Sequence, residues 1–101
     1  QNLEYKFYLY STLYNALKDS KNEQTVLNKA VIANPHFWPA FFNLGLFYRN
    51  DGNKSKKIDS FSKCRTILEQ NIKDNKKEYN FIVESFDLSY FINLCNYYIS
   101  E

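Results

Sequence analysis

The chain has 101 residues, and its 13 basic and 11 acidic side chains give a net charge of +2 at pH 7. A chain of this length is expected to form one domain around one hydrophobic core. The small net charge, with no block of five like charges, argues against nucleic acid or an anionic membrane as the partner. Apolar residues make up 45% of the chain and aromatic residues 19%, so intrinsic disorder is not expected and many rings must be buried or form contacts.

Helices are the secondary structure that the turn-forming residues favour. The chain contains two Gly and two Pro, whereas an all-β fold needs a turn about every 8 to 12 residues. No run reaches the ~18 apolar residues of a membrane-spanning helix. No Met occurs, even at position 1, which predicts that the chain is part of a longer protein.

The first two predicted helices form a pair. In the first, from Leu3 to Leu17, apolar residues recur with helical spacing at Phe7, Tyr10, Tyr14 and Leu17. The sequence "SKNE" at 20–23 is a capping box, so Ser20 is expected to cap the second helix and Glu23 to reach back to it. This second helix is expected to end before Asn34, because a residue that precedes Pro disfavours the α conformation. Its inward residues are Val26, Leu27, Ala30 and Val31.

The third predicted helix spans about residues 38–50, because Pro39 is tolerated at a first helical position. Residues 51–52, Asp and Gly, form a turn. Asn53 or Ser55 is expected to cap a fourth helix. The inward face of this helix carries Ile58, Phe61, Cys64 and Leu68.

The last third of the chain is less regular. The sequence "NIKDNKK" at 71–77 lacks periodicity and predicts a solvated connection. Apolar residues are dense over 78–99, where one long helix and two shorter ones both fit. We favour two helices, because Ser85 or Asp87 can cap a new start.

The first four helices contain a repeat with a spacing of 34 residues. Phe7, Tyr10, Ser11, Tyr14, Leu27 and Ala30 correspond to Phe41, Leu44, Gly45, Tyr48, Phe61 and Cys64. Two antiparallel helices approach closely only where a side chain is very small, so Ser11 and Gly45 are expected to mark helix crossings. A Gly inside a helix costs about 1 kcal/mol relative to Ala, and close packing at Gly45 must offset that cost.

The second copy resembles the tetratricopeptide repeat family. Its sequence "NPHFWPAFFNLGLFYRNDGNKSKKIDSFSKC" is similar to the family pattern at Pro35, Ala40, Leu44, Gly45, Tyr48, Gly52 and Phe61, with Phe41 in place of Trp and Cys64 in place of the last Ala. Lys57 departs from the pattern where the family has a small Ala, and Ile58 is expected to carry the packing instead. The first copy is weaker, with Lys18 in place of the turn Gly and Glu23 in place of a small residue.

The resemblance implies an all-α fold, a right-handed stack of antiparallel helix hairpins with two clear repeats and a divergent third unit. The expected single domain covers 1–101, with repeat one at about 4–34, repeat two at about 38–71 and C-terminal helices at about 75–100. A third copy requires a stretched connection that turns Tyr79, Ile82, Val83 and Phe86 inward. The first helices of such a stack line a concave groove that binds peptides or partner helices.

Eight residues on the first helices of the two repeats are expected to bind another protein in this groove. They are Tyr5, Tyr8, Thr12, Asn15, Phe42, Asn43, Leu46 and Arg49. Aromatic rings give a large contact area, Arg pairs with carboxylates, and Asn pairs with an extended backbone. The predicted function is a non-catalytic protein–protein interaction module or assembly adaptor.

Two alternatives belong to other functional classes. In a structural role, the hairpins pack on another domain of the same chain or on themselves, and a flanking helix covers Phe42 and Leu46. An RNA-binding surface is less favoured, because it needs a larger positive charge. The basic residues in question, Lys54, Lys56, Lys57, Lys63 and Arg65, are typical of a solvated helix face. Tyr8 and Thr12 replace the Lys and Asn of a carboxylate clamp, so chaperone tails are not an expected partner.

No catalysis, metal, cofactor or small-molecule substrate is expected. His36 is the single His, and no second ligand lies at a suitable spacing. No GxSxG, phosphate loop or HExxH sequence is present. Cys64 and Cys95 are far apart in sequence and are expected to be small buried residues.

Overall fold

The computed structural model describes residues 2–76 and 87–101, and helices account for most of both ranges. The helices are α1 (Leu3–Ala16), α2 (Ser20–Ala33), α3 (Trp38–Asn50), α4 (Lys54–Lys73) and α5 (Leu88–Ser100). No strand occurs within these ranges. The prediction of an all-α fold is therefore confirmed.

Two hairpins, α1 with α2 and α3 with α4, form the body of the fold, and α2 packs on α3. The turns that close the hairpins have matching backbone conformations 34 residues apart. Lys18 and Gly52 have positive φ angles of 57° and 76°. The following amide donates to the carbonyl of Tyr14 in the first turn and of Tyr48 in the second, both at 2.9 Å. The spacing found in the sequence is thus present in the backbone.

The start of α2 lies where the sequence predicted it, at Ser20, but the capping residue is Asp19. The Asp19 carboxylate accepts a hydrogen bond from the backbone N–H of Asn22 at 3.2 Å. Glu23 accepts from Asn15 instead of reaching back to Ser20. The predicted capping box is therefore wrong: Ser20 is already helical, and the positive end of the helix favours the carboxylate one residue earlier.

The second hairpin begins and turns as predicted. Pro39 lies in the first turn of α3, where its missing N–H costs nothing. Asn53 caps α4, and its side-chain oxygen accepts from the backbone N–H of Lys56 at 3.1 Å. However, α4 continues to Lys73 and buries Asn71, so residues 71–73 are helical and not part of a solvated connection. The connection starts with the turn at 74–76.

α3 and α4 approach each other closely at Gly45. A Cβ added to Gly45 would lie 2.6 Å from Cε2 of Phe61, which is too close for two carbon atoms that are not bonded. Phe61 is completely buried. The expectation that a neighbouring helix presses against Gly45 is confirmed. At the equivalent place in α1, Ser11 is buried and its hydroxyl donates to the carbonyl of Tyr8 at 2.6 Å.

Two hydrophobic clusters hold the helices together. The first consists of Leu27, Ala30, Phe37, Ala40, Leu44 and Tyr48, from α2 and the start and core face of α3. The second consists of Trp38, Phe61, Cys64, Leu68, Leu88 and Cys95, from α3, α4 and α5. Both cysteines are free and buried, as predicted, and burial raises the pKa of the Cys64 thiol. α5 therefore covers the side of α4 that turns away from the first hairpin.

α1 buries less of its surface than the sequence predicted. Phe7 and Tyr14 are partly buried, but Tyr10 and Leu17 are 43% and 65% exposed. Placing Tyr10 and Leu17 on the inward face was wrong. The equivalent side of α3 is covered by α2, whereas no described element lies against this side of α1.

α5 begins at Leu88, directly after one of the two predicted caps. The Asp87 carboxylate accepts from the backbone N–H of Tyr90 at 3.0 Å. The pKa of Asp87 is lowered by its hydrogen bonds from Ser89 and Tyr90. Residues 77–86 lie outside the described ranges, and so do the four residues that the sequence assigns to the inward face of a third copy.

Replacing Gly45 with Ala adds a methyl group where the Phe61 ring lies. We expect the free energy of unfolding to fall by about 1–3 kcal/mol, despite the better helix propensity of Ala. Chemical denaturation followed by circular dichroism measures this change. In a Phe61→Leu background, where the ring is gone, Gly45→Ala should cost less than in the wild type. Equal costs in the two backgrounds would contradict the close contact.

Replacing Lys18 with Gly should raise the free energy of unfolding by about 0.5–1 kcal/mol, because Gly adopts a positive φ without a steric penalty. The matched control is Lys21→Gly, one turn later inside α2, which should lower stability by about 1 kcal/mol. Both variants are compared by the same denaturation experiment. A loss of stability in Lys18→Gly as large as in the control contradicts the left-handed conformation of this turn.

Candidate functional site: a polar cleft between α1 and α3

A cleft of about 520 Å³ lies between α1 and α3, at the end where the first hairpin turns. It is lined by Ser11, Thr12, Asn15, Lys18, Ser20 and Glu23 of the first hairpin and by Asn43, Leu46, Phe47, Asn50 and Asp51 of the second. A volume of this size falls within the ~300–1,000 Å³ of typical ligand pockets. We call it the polar cleft.

Amide side chains give the polar cleft its chemistry. Asn15, Asn43 and Asn50 each carry two N–H donors and a carbonyl acceptor. Nδ2 of Asn15 donates to Oε2 of Glu23 at 3.2 Å. Partial burial raises the pKa of the Glu23 carboxyl, and the hydrogen bond from Asn15 opposes that shift. These amides offer the same kinds of donor and acceptor that a peptide backbone requires.

An aromatic ladder on α1 extends from the polar cleft. The rings of Tyr5 and Tyr8 are stacked, with centroids 6.3 Å apart and planes at 16°. Tyr8 also meets Phe37 edge-on, at 5.8 Å. Burial raises the pKa of the Tyr8 hydroxyl, which forms a hydrogen bond with the Asn43 side chain. This bond ties one amide of the polar cleft to the ladder.

Most of the predicted partner-binding residues lie along this surface. Tyr5 and Tyr8 form the ladder, and Thr12, Asn15, Asn43 and Leu46 line the polar cleft. Leu46 also contacts the second hydrophobic cluster. The two remaining residues, Phe42 and Arg49, contact α5 instead.

Phe42 belongs to an aromatic cluster that joins α3, α4 and α5. Its ring meets Phe61 at 5.4 Å, Phe91 at 5.5 Å and Tyr98 at 6.3 Å, each time edge-on. The flanking helix that the sequence left open as a cover for Phe42 is thus α5 of the same chain. Phe42 is a packing residue here, and a partner does not reach it without displacing α5.

Arg49 is held by the last residue of the chain, Glu101. Nε and Nη2 of Arg49 donate to the two carboxylate oxygens at 2.7 and 2.8 Å, which is the bidentate geometry that makes such pairs strong. The guanidinium also lies over the Tyr98 ring, 5.1 Å from its centroid. Arg49 therefore fastens the end of α5 to α3.

Lys57 completes this ion-pair group. Its side chain is buried, and Nζ lies 3.3 Å from Oε1 of Glu101. The prediction of a solvated position is wrong for Lys57, and its departure from the small residue of the repeat family has a structural reason: the ammonium reaches inward to a carboxylate on α5. Two further basic residues are also engaged, since Lys63 pairs with Asp59 at 3.1 Å and Arg65 donates to Asn96 at 2.9 Å.

A second depression, of about 480 Å³, lies between the loop before α3 and the outer side of α4. Its lining includes Pro35, His36, Phe41 and Ile67. Nζ of Lys63 lies 5.9 Å from the centroid of Phe41, and the equivalent pair in the first hairpin, Lys29 and Phe7, has the same distance. Because this contact recurs in both hairpins, it indicates a packing feature of the repeat more than a specific site.

The sequence missed several residues of the polar cleft, among them Lys18, Glu23 and Asp51. Glu23 carried a usable signal. It stands 34 residues before Lys57, and both occupy a position where the resemblance calls for a small side chain. A charged residue at a position that faces a neighbouring helix must find a polar partner, and each does: Glu23 in Asn15 and Lys57 in Glu101.

Within residues 2–76 and 87–101, no group of three His, Cys, Asp or Glu side chains is arranged to hold a metal ion. None of the described helices is both long enough and apolar enough to cross a membrane. No protein-family model, no curated protein and no solved structure matches the chain. A function is therefore proposed from the residues of the polar cleft and their chemistry.

The ion-pair group predicts a pH dependence of stability. The hydrogen bond from Arg49, with the help of Lys57, lowers the pKa of the Glu101 carboxyl from 4.5 to about 2. A carboxyl with a lower pKa in the folded state stabilises the fold above its unfolded pKa, and the contribution is lost as the pH falls through the folded value. Glu101→Gln should therefore lower Tm at about pH 6 and have almost no effect at about pH 2.

Thermal unfolding of both proteins by circular dichroism at the two pH values tests this dependence. The control is Glu69→Gln, which removes an exposed carboxylate of α4. Its effect on Tm should be smaller at the higher pH than that of Glu101→Gln. A Tm difference for Glu101→Gln that is as large at the lower pH as at the higher one rules out the ion pair as the cause.

Proposed function

We propose that the chain is a non-catalytic protein-binding module, in which two tetratricopeptide-like hairpins hold an extended segment of a partner protein in the polar cleft. One observation carries the proposal: Asn15 of one hairpin and Asn43 and Asn50 of the other converge on the same cleft. Convergent amides on two rigid helices are an arrangement that suits a peptide backbone. A helix as ligand offers no free backbone groups to such side chains, because its own hydrogen bonds consume them.

The apolar residues of the cleft provide the second part of the recognition. Leu46 and Phe47 lie beside the amides and can bury a side chain of the bound segment. Tyr5 and Tyr8 offer a further aromatic contact along α1, at one end of the cleft. Because these residues stand on packed helices, little conformational entropy is lost when a ligand binds.

The charges of the polar cleft narrow the class of segment. Lys18 stands with Glu23 and Asp51 at the end near the first turn. One cation and two carboxylates do not attract a strongly acidic segment. We therefore expect the bound segment to be uncharged or weakly basic at this end, with an apolar side chain at Leu46.

Selection from a displayed library of random peptides tests the proposal without a known partner. We expect selected peptides to bind the wild-type chain with micromolar affinity, and Asn15→Ala combined with Asn43→Ala to weaken binding by at least about tenfold, since each lost amide removes one or two hydrogen bonds. Isothermal titration measures the affinities. Asn93→Ala, which removes an exposed amide of α5, is the matched control and should leave them unchanged.

Three results would contradict this function. A library that yields no binder speaks against peptide recognition. Peptides that bind the double variant as tightly as the wild type place the site elsewhere. Peptides whose binding depends on Phe42→Ala or Arg49→Ala, but not on the two Asn residues, indicate that α5 moves aside and that the groove beneath it is the site.

A further inference from the structure

One side of α1 carries a row of exposed apolar residues. Leu3, Tyr10, Leu13 and Leu17 are 52%, 43%, 51% and 65% exposed. Their spacings of 7, 3 and 4 residues place them on one face of the helix and its last turn. We call this row the α1 stripe. It lies on the side of α1 that faces away from α3, opposite the buried Glu4 and Ser11.

The second hairpin shows what this side of a first helix does. The residues 34 positions after the α1 stripe begin with Phe37, Leu44 and Phe47. Phe37 and Leu44 are buried in the first hydrophobic cluster, and Phe47 packs against it. In that cluster Leu27 and Ala30 of α2 cover them. The same face that is exposed on α1 is therefore a helix-packing interface on α3.

The two ends of the stack differ. At the far end, Phe61, Cys64 and Leu68 of α4 correspond to the α2 residues that cover α3, but α5 already packs on them. A second copy of the chain therefore has no free α2-like surface to offer, and stacking head to tail is blocked. The α1 stripe of the second copy remains as a complementary apolar surface.

The pattern of the α1 stripe suits pairing with itself. Positions 3, 10 and 17 alternate with 6 and 13 as in the a and d positions of a coiled coil, and Lys6 is the one charged residue among them. When two such helices lie antiparallel, Lys6 of each comes near the carbonyl end of the other α1. Carbonyl dipoles at a helix C-terminus favour a cation, and no basic residue of α1 occupies that last turn.

We propose that the chain forms a twofold-symmetric dimer in which the α1 stripes of two copies pack against each other in antiparallel orientation. α1 has 14 residues and is about 21 Å long, so the contact is smaller than a standard interface. A weak dimer follows, with a dissociation constant of roughly 10–500 μM. The polar cleft faces away from this contact and stays accessible in both copies.

Sedimentation equilibrium of the full chain from about 5 to about 1,000 μM tests the proposal. We expect a monomer–dimer equilibrium that Leu13→Lys weakens at least about tenfold. Ile32→Lys removes an equally exposed apolar side chain from α2 and should leave the equilibrium unchanged. Circular dichroism confirms that each variant is folded. A monomer at every concentration, or a dimer that Ile32→Lys weakens as much as Leu13→Lys, overturns the proposal.

Disulfide trapping tests the orientation without weakening the interface. Position 10 lies near the middle of α1, so antiparallel pairing brings the two copies of this position close together. On mild oxidation, Tyr10→Cys should give a covalent dimer on a non-reducing gel, and Ile32→Cys should not. The natural Cys64 and Cys95 are fully buried and contribute little background. Equal dimer yields from the two variants contradict the antiparallel α1 contact.

Discussion

The contact between Gly45 and the Phe61 ring is the interaction on which the rest of the structure depends. Without a side chain at Gly45, α3 and α4 come close enough for the ring to lie where a Cβ would be. The ring then serves as a platform for its neighbours: Tyr98 stacks on it at 4.8 Å, and Phe42 meets it edge-on. A single close approach thus connects α3, α4 and α5. If the helices separated by the width of a methyl group, these aromatic contacts would weaken together.

The positions of polar groups follow from the same packing. Where two helices cross closely, a large or charged residue nearby is accommodated only if it finds a partner, because an unpaired buried polar group is costly. Glu23 and Lys57 occupy equivalent positions, and each is answered by a polar residue on an adjacent helix. In the first hairpin this produces the polar cleft, and in the second it fastens α5. One position in the repeat therefore separates the open end of the surface from the closed one.

Much of the fold could be predicted from the sequence because its signals are local. Helical spacing, Pro39 at a helix start and Asn53 as a cap each act within one turn, and Gly45 needs only one neighbour. The errors arose where distant residues decide. Tyr10 and Leu17 fit an inward face by spacing, but whether anything covers them depends on the position of other helices. The choice between Asp19 and Ser20 as a cap depended on one residue of backbone geometry.

The candidate site shows the same division. Thr12, Asn15, Asn43 and Leu46 could be placed in a groove because the 34-residue spacing fixes the faces of α1 and α3. Phe42 and Arg49 were placed there by the same rule, but α5 returns to pack on them. Nothing in residues 38–50 signals that return; it depends on Phe91, Tyr98 and Glu101, about fifty residues later.

The central contact can be observed directly by NMR spectroscopy of the unmodified chain. With the Phe61 ring packed against Gly45, the Hα protons of Gly45 should resonate well outside the ordinary glycine range because of the ring current, and should show strong NOEs to the Phe61 ring protons. Ordinary Hα shifts without these NOEs would mean that α3 and α4 do not cross at Gly45, and would contradict the packing from which the polar cleft and the docking of α5 both follow.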